Sequence, residues 1–111
     1  MAVSTESGTV TVIRLAGELN LPEVDSVLRM LTDLMLESQK QVILNLSGVS
    51  HVSLGGIPKL AEKNRRFKTL GGEIKLVGLI PYVANLFKLV GAFSDFDVAT
   101  DEEKAVARFE S

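Results

Sequence analysis

Residues 41–60 read QVILNLSGVSHVSLGGIPKL, an apolar run that passes through a Ser/Gly segment directly into a helical pattern. Val42, Ile43, Leu44 and Leu46 make a nearly continuous apolar strand, as expected where a parallel sheet is covered on both faces. Gly55-Gly56 then precede a helix expected over Ile57 to Leu70, in which Ile57, Leu60, Ala61, Phe67 and Leu70 recur at helical spacing. The intervening loop, Ser50 to Gly56, places small residues and backbone N–H groups at a helix N-terminus, where anions and phosphoryl groups can bind. The simpler reading is a tight turn permitted by glycine. Pro58 favours the turn, because it removes an N–H donor from the first helical turn.

Upstream, the β-branched run from Thr9 to Ala16 predicts a strand, with Val3 on a short strand before it and Glu6-Ser7-Gly8 as the turn. Gly17-Glu18-Leu19-Asn20 leads out of it. A helix follows over Pro22 to Ser38, with Val24, Val27, Leu28, Leu31, Leu34 and Met35 on one stripe. Downstream, Gly71-Gly72 stops the second helix, and Ile74 to Val77 forms another strand. Pro81 to Val90 is a third helix, with Val83, Leu86, Phe87 and Val90 inward. Phe96 to Ala99 is a short edge strand, and Phe93 is expected at the surface. Thr100-Asp-Glu-Glu103 fits a capping box opening a last helix through Phe109. The fold class expected is α/β: one domain over residues 1–111, a mixed sheet of four to five strands covered by about four helices.

Composition narrows the chemistry. A chain of 111 residues, 46% of them hydrophobic, can bury about 65% of its unfolded surface without a covalent or metal staple. It has no cysteine and a single histidine, His51, which removes disulfides, thiol nucleophiles and multi-histidine metal sites. A net charge of −2, from 12 basic and 14 acidic residues, does not suit a nucleic-acid binder. No apolar run reaches the roughly 20 residues that span a bilayer, so direct membrane insertion is not expected. The N-terminus lacks the basic and apolar regions of a signal peptide, and a cytoplasmic location is expected. No acid–base pair or nucleophile–base motif emerges, so neither an enzyme nor a cofactor is expected.

Four segments resemble the STAS family (sulphate transporter and anti-sigma factor antagonist). Leu15-Ala-Gly-Glu-Leu-Asn20 resembles the "GELD" exit from its early strand, and Val42-Ile-Leu-Asn-Leu-Ser-Gly-Val49 its "vvLDLSgV" strand. Gly71-Gly-Glu-Ile-Lys-Leu-Val-Gly78 resembles its "GG-x-L-x-LvG" strand, and Leu89-Val-Gly91 with Phe96 its approach to the last strand. The resemblance implies a bacterial signal-transduction module acting in transcription regulation.

Anti-sigma factor antagonists of this family carry D-S-S-G-L or D-T-S-G-L after the central strand, and a partner kinase phosphorylates the hydroxyl that follows the Asp. Aligned on Gly56-Ile57, Ser53 takes the Asp position, Leu54 the phosphoacceptor position and Gly55 that of the next hydroxyl. Asn20 and Asn45 stand where many members carry Asp. Leu54 has no nucleophilic oxygen, so the resemblance implies a module without the usual phospho-switch. Ser53 is the nearest acceptor, displaced by one residue.

The implied partner is an anti-sigma factor or serine kinase of ATPase-like fold, or another STAS-containing complex, met through the loop and helix from Ser50 to Lys63. The contact residues expected are Asn20, His51, Ser53, Leu54, Gly55, Lys59 and Lys63, with positions 59, 63 and 66 sharing a basic helix face. The alternative is an accessory subunit that binds an ABC-transporter ATPase. A third reading is a sensor binding nucleotide or lipid at the Asn20 and Ser53 loops. His51 is read as tolerated at a strand end, with a role as acid, base or pH sensor as the alternative.

Overall fold

In the computed structural model, which describes residues 2–7 and 9–110, with side chains from Thr9 onward, β1 (Ala2–Ser7) pairs antiparallel with β2 (Val10–Leu19). β2, β3 (Gln41–Val52), β4 (Glu73–Val77) and β5 (Val98–Ala99) are parallel neighbours, in the order β1-β2-β3-β4-β5. Parallel pairing requires crossovers, and α1 (Leu21–Leu36), α2 (Ile57–Thr69) and α3 (Pro81–Leu89) supply them; α4 (Glu102–Glu110) follows β5.

The helices divide between the two faces of the sheet. α1, α2 and α3 pack on one face, where Val24, Leu31, Ile57, Phe67, Val83 and Phe87 are fully buried against Ile13, Leu44 and Leu76. α4 covers part of the other face through Ala105, Val106 and Phe109 against Val10, Val12, Ile43 and Val77. The sheet is therefore buried on both sides at β3, which explains the unbroken apolar run there.

Several boundaries differ from the sequence reading. β2 continues through Gly17 to Leu19, residues read as an exit, and Gly17 takes a positive φ of 84°. β3 extends to Val52, so Ser50 and His51 lie on a strand and the turn itself is Ser53 to Gly56. Glu6 and Ser7 belong to β1; the turn residue Gly8 lies outside the described residues. The last strand is only Val98–Ala99, and Phe93–Asp95 forms a short 3-10 turn. Phe93 is half-buried beneath Lys88, whose Nζ lies 4.9 Å from the ring centroid. Leu70 is exposed beyond the end of α2 instead of packed in the core. The α4 cap is Asp101, not Thr100: the Lys104 N–H donates to Asp101 Oδ1 at 2.9 Å.

Candidate functional site

β2, β3 and β4 end at one edge of the sheet, so the turns into α1, α2 and α3 sit together there. The Ser53 N–H donates to the Leu19 carbonyl at 2.8 Å, tying the β3 exit to that of β2. The Ser53 carbonyl accepts from the Gly56 N–H at 2.9 Å and from the Ile57 N–H at 3.3 Å. With Ile57 engaged and Pro58 lacking an N–H, the start of α2 presents few free donors to an anion. Leu54 and Gly55 form the tip, and Leu54 is 45% exposed.

Steric fit against α1 fixes the turn. A Cβ on Gly56 would lie 2.7 Å from Val24 Cγ2, whereas one on Gly55 would meet only Leu21 Cδ2, at 3.8 Å. Asn20 is the N-cap residue of α1, and its N–H donates to Glu23 Oε1 at 3.0 Å, half of a capping box. Its position near the turn therefore has a structural cause of its own.

His51, near the end of β3, stacks on Tyr82 of α3 with ring centroids 5.9 Å apart, and His51 Nδ1 lies 3.0 Å from Tyr82 Oη. Tyr82, Ile80 and Leu21 are exposed on this same edge. The sequence reading missed all three. A signal existed: Leu21 and Ile80 each directly precede a proline that opens a helix, outside the apolar stripe that the helix buries.

The basic face of α2 is drawn toward α1. Lys59 Nζ lies 3.5 Å from Asp25 Oδ1, and Lys63 Nζ donates to Thr32 Oγ1 at 2.9 Å. Also missed was Asn64, 1% exposed on the apolar stripe of α2. Its Oδ1 accepts from the Ile74 N–H at 2.8 Å and its Nδ2 donates to the Asp95 carbonyl at 3.0 Å, joining α2 to β4 and to the turn after α3.

On the opposite face, Asn45 Nδ2 donates to Glu102 Oε2 at 2.6 Å while its Oδ1 accepts from the Ser47 N–H at 2.9 Å. Arg14 completes the cluster with two hydrogen bonds of 2.7 Å to the Glu102 carboxylate. The hydrogen bond from Arg14, aided by that from Asn45, holds the Glu102 carboxyl below its ordinary pKa against a partial burial penalty. Nearby, buried Lys75 donates to Asp97 at 2.8 Å and to Glu73 at 3.1 Å, and Arg108 also binds Asp97. Burial raises the Asp97 pKa, but the combined pull of Lys75 and Arg108 leaves it lowered. Among the described residues, no group of His, Cys, Asp or Glu is placed to hold a metal ion, and no helix is long and apolar enough to cross a membrane.

The architecture defines an α/β domain similar to anti-sigma factor antagonists: β1 alone antiparallel, three crossover helices on one face, and a last helix on the other. The chain belongs to the STAS domain family, whose model matches residues 1–105. BtrV of Bordetella bronchiseptica, named as an anti-sigma factor antagonist, is 28% identical over 75 residues, spanning 68% of this chain and 65% of BtrV. The Bacillus anti-sigma factor antagonist SpoIIAA, in its unphosphorylated form, superposes with a TM-score of 0.84 at 22% identity, covering 99% of this chain and 96% of SpoIIAA. The murine anion transporter Slc26a9, inward-facing, matches with a TM-score of 0.81 at 23% identity over 96% of this chain and 18% of the transporter. At these identities the two structural likenesses speak to the fold.

Proposed function

We propose that this STAS domain, taken as one unit over residues 1–111, is a non-enzymatic docking module of the cytoplasm. It binds an anti-sigma factor or serine kinase of ATPase-like fold through the turn and helix after β3, without the phospho-switch of its family. The observation that carries this reading is Leu54. A large apolar side chain stands 45% exposed at the turn tip, at the position where the STAS resemblance places the phosphoacceptor hydroxyl. An exposed leucine at such a tip gains free energy when a partner covers it, whereas phosphorylation there would oppose docking by adding charge. Leu54 cannot accept a phosphoryl group, so control passes to the partner or to the abundance of this protein. Asn20, His51, Ser53, Gly55, Lys59 and Lys63 complete the proposed surface. Lys59 and Lys63 lie toward its α1 side, since Asp25 and Thr32 hold them there.

Ser53 is a poor substitute acceptor. Its backbone is held by hydrogen bonds to Leu19, Gly56 and Ile57, and it is only half-exposed at the foot of the turn. The accessory-subunit reading draws on the fold shared with part of an anion transporter. Capture of the tagged protein from its native lysate, with mass spectrometry of what accompanies it, separates the two. An ATPase-fold kinase or anti-sigma factor supports the docking module, and an ABC ATPase with its permease replaces it. Incubating the captured complex with ATP should leave this chain unphosphorylated; phosphate on Ser53 would show a displaced switch instead of an absent one.

A further inference from the structure

We propose that this chain associates head to tail with further copies of itself, the helix C-terminal end of one molecule covering the Leu54 end of the next. The regulatory consequence, masking of the docking turn, rests on the function proposed above; the association itself does not.

The helices α1, α2 and α3 run back along the sheet, so their C-termini gather at the edge opposite Leu54. The turns there form one surface. The Glu73 N–H donates to the Lys40 carbonyl at 2.9 Å, joining the turns after α1 and α2. Arg65, at 3.9 Å from Asp95, and the Asn64–Asp95 hydrogen bond join α2 to the turn after α3. Three leucines project from this end: Leu36 is 79% exposed, Leu89 74% and Leu70 47%. Exposed Lys40, Arg66 and Lys68 lie among them with no ion-pair partner among the described residues, against Asp33 and Glu37.

The Leu54 end is its complement. Leu21, Leu54, Ile80 and Tyr82 are exposed there, and the surrounding exposed charges are mainly acidic, with Glu18, Glu23, Asp101 and Glu103 outnumbering Lys59 and Lys104. A second copy thus offers matching apolar area and opposite charge at once. An anionic membrane would meet a chain of net charge −2.

Size sets the strength. The molecule measures 31 × 25 × 25 Å, so an end-on contact covers at most roughly the 800 Å² per partner of a standard interface. The association is therefore weak, reversible and concentration-dependent. Because the two surfaces differ, it does not close at a dimer.

Sedimentation equilibrium of the full chain tests this. The mean mass should rise with concentration past twice the monomer. Leu54→Lys, which blocks the acidic end with a like charge for its basic partner, should stay monomeric, as should the double variant Leu36→Ser/Leu89→Ser. Mixed in equal amounts, the two variants should form a one-to-one dimer, since each retains the end that the other lacks. A wild type that remains monomeric, a plateau at the dimer, or failure of the mixture to pair overturns the proposal. So does a monomer whose leucine end instead binds phosphatidylglycerol vesicles. Partner capture by the Leu36→Ser/Leu89→Ser variant judges the docking function separately, because that variant leaves the Leu54 turn intact.

Discussion

Gly55 and Gly56 are neighbours in the sequence with different steric surroundings. The missing Cβ of Gly56 is space already filled by Val24, whereas that of Gly55 has room beside Leu21. Gly56→Ala should lower stability by about 1–3 kcal/mol through overpacking, and Gly55→Ser should stay within about 0.5 kcal/mol of wild type. Urea unfolding measures both, and equal effects would mean that Val24 does not set the approach of the turn. Asn45 offers a second residue-scale test. An amide there can donate to Glu102 at 2.6 Å, whereas Asn45→Asp would set two carboxylates in that contact. The variant should lose about 1–2 kcal/mol at neutral pH. Adding Glu102→Gln should recover much of that loss, because it supplies an amide donor to the new carboxylate. A double variant less stable than Asn45→Asp alone would contradict this pairing.

At the scale of elements, α4 depends on two polar clasps as well as a small apolar seam. Glu102 binds Arg14 and Asn45 at its first turn, and Arg108 binds Asp97 near its end. Both carboxylates are held below their ordinary pKa values of 4.5 and 3.8, so unfolding takes up protons in acid. Their stabilisation is complete above those values and is lost as pH falls through them toward the lowered folded values. Glu102→Gln should therefore cost about 1 kcal/mol at neutral pH, and its difference from wild type should shrink as pH falls below the ordinary carboxylate range. A difference independent of pH would place the effect elsewhere.

The order of elements was legible in the sequence because the parallel core strands and the helical stripes have distinct periods. The far end of β3 was not. Its register against β2 shifts twice, between Arg14 and Ala16 and between Gly17 and Glu18. Buried residues there fall at Leu46, Val49 and Val52 instead of alternating, because bulges disrupt the two-residue repeat by which strands are recognised. At the candidate site, the turn and the lack of a hydroxyl on Leu54 were readable from residue type alone. The stack of His51 on Tyr82 and the turn of Lys59 and Lys63 toward α1 were not, because each depends on which helices the crossovers bring together.

For the molecule as a whole, the edge at which β2, β3 and β4 end gathers Leu54, Leu21, Ile80 and the His51–Tyr82 pair. A docking surface of this kind should respond most to change at its exposed apolar tip and least to change at residues committed to internal contacts. Lys63→Ala, which removes a hydrogen bond to Thr32, should weaken partner binding by less than about threefold, as binding energy concentrates in a few well-covered side chains. A larger loss would make Lys63 one of the few side chains that carry the binding energy. In the proposed binding mode Leu54 is itself a contact and no phosphorylation is needed. The direct measurement is titration calorimetry of the captured partner against wild type and Leu54→Asp, with folding of the variant verified by thermal melting. Wild type should bind without prior dephosphorylation, and the aspartate should weaken binding at least tenfold, about 1.4 kcal/mol; equal affinities would exclude Leu54 from the contact.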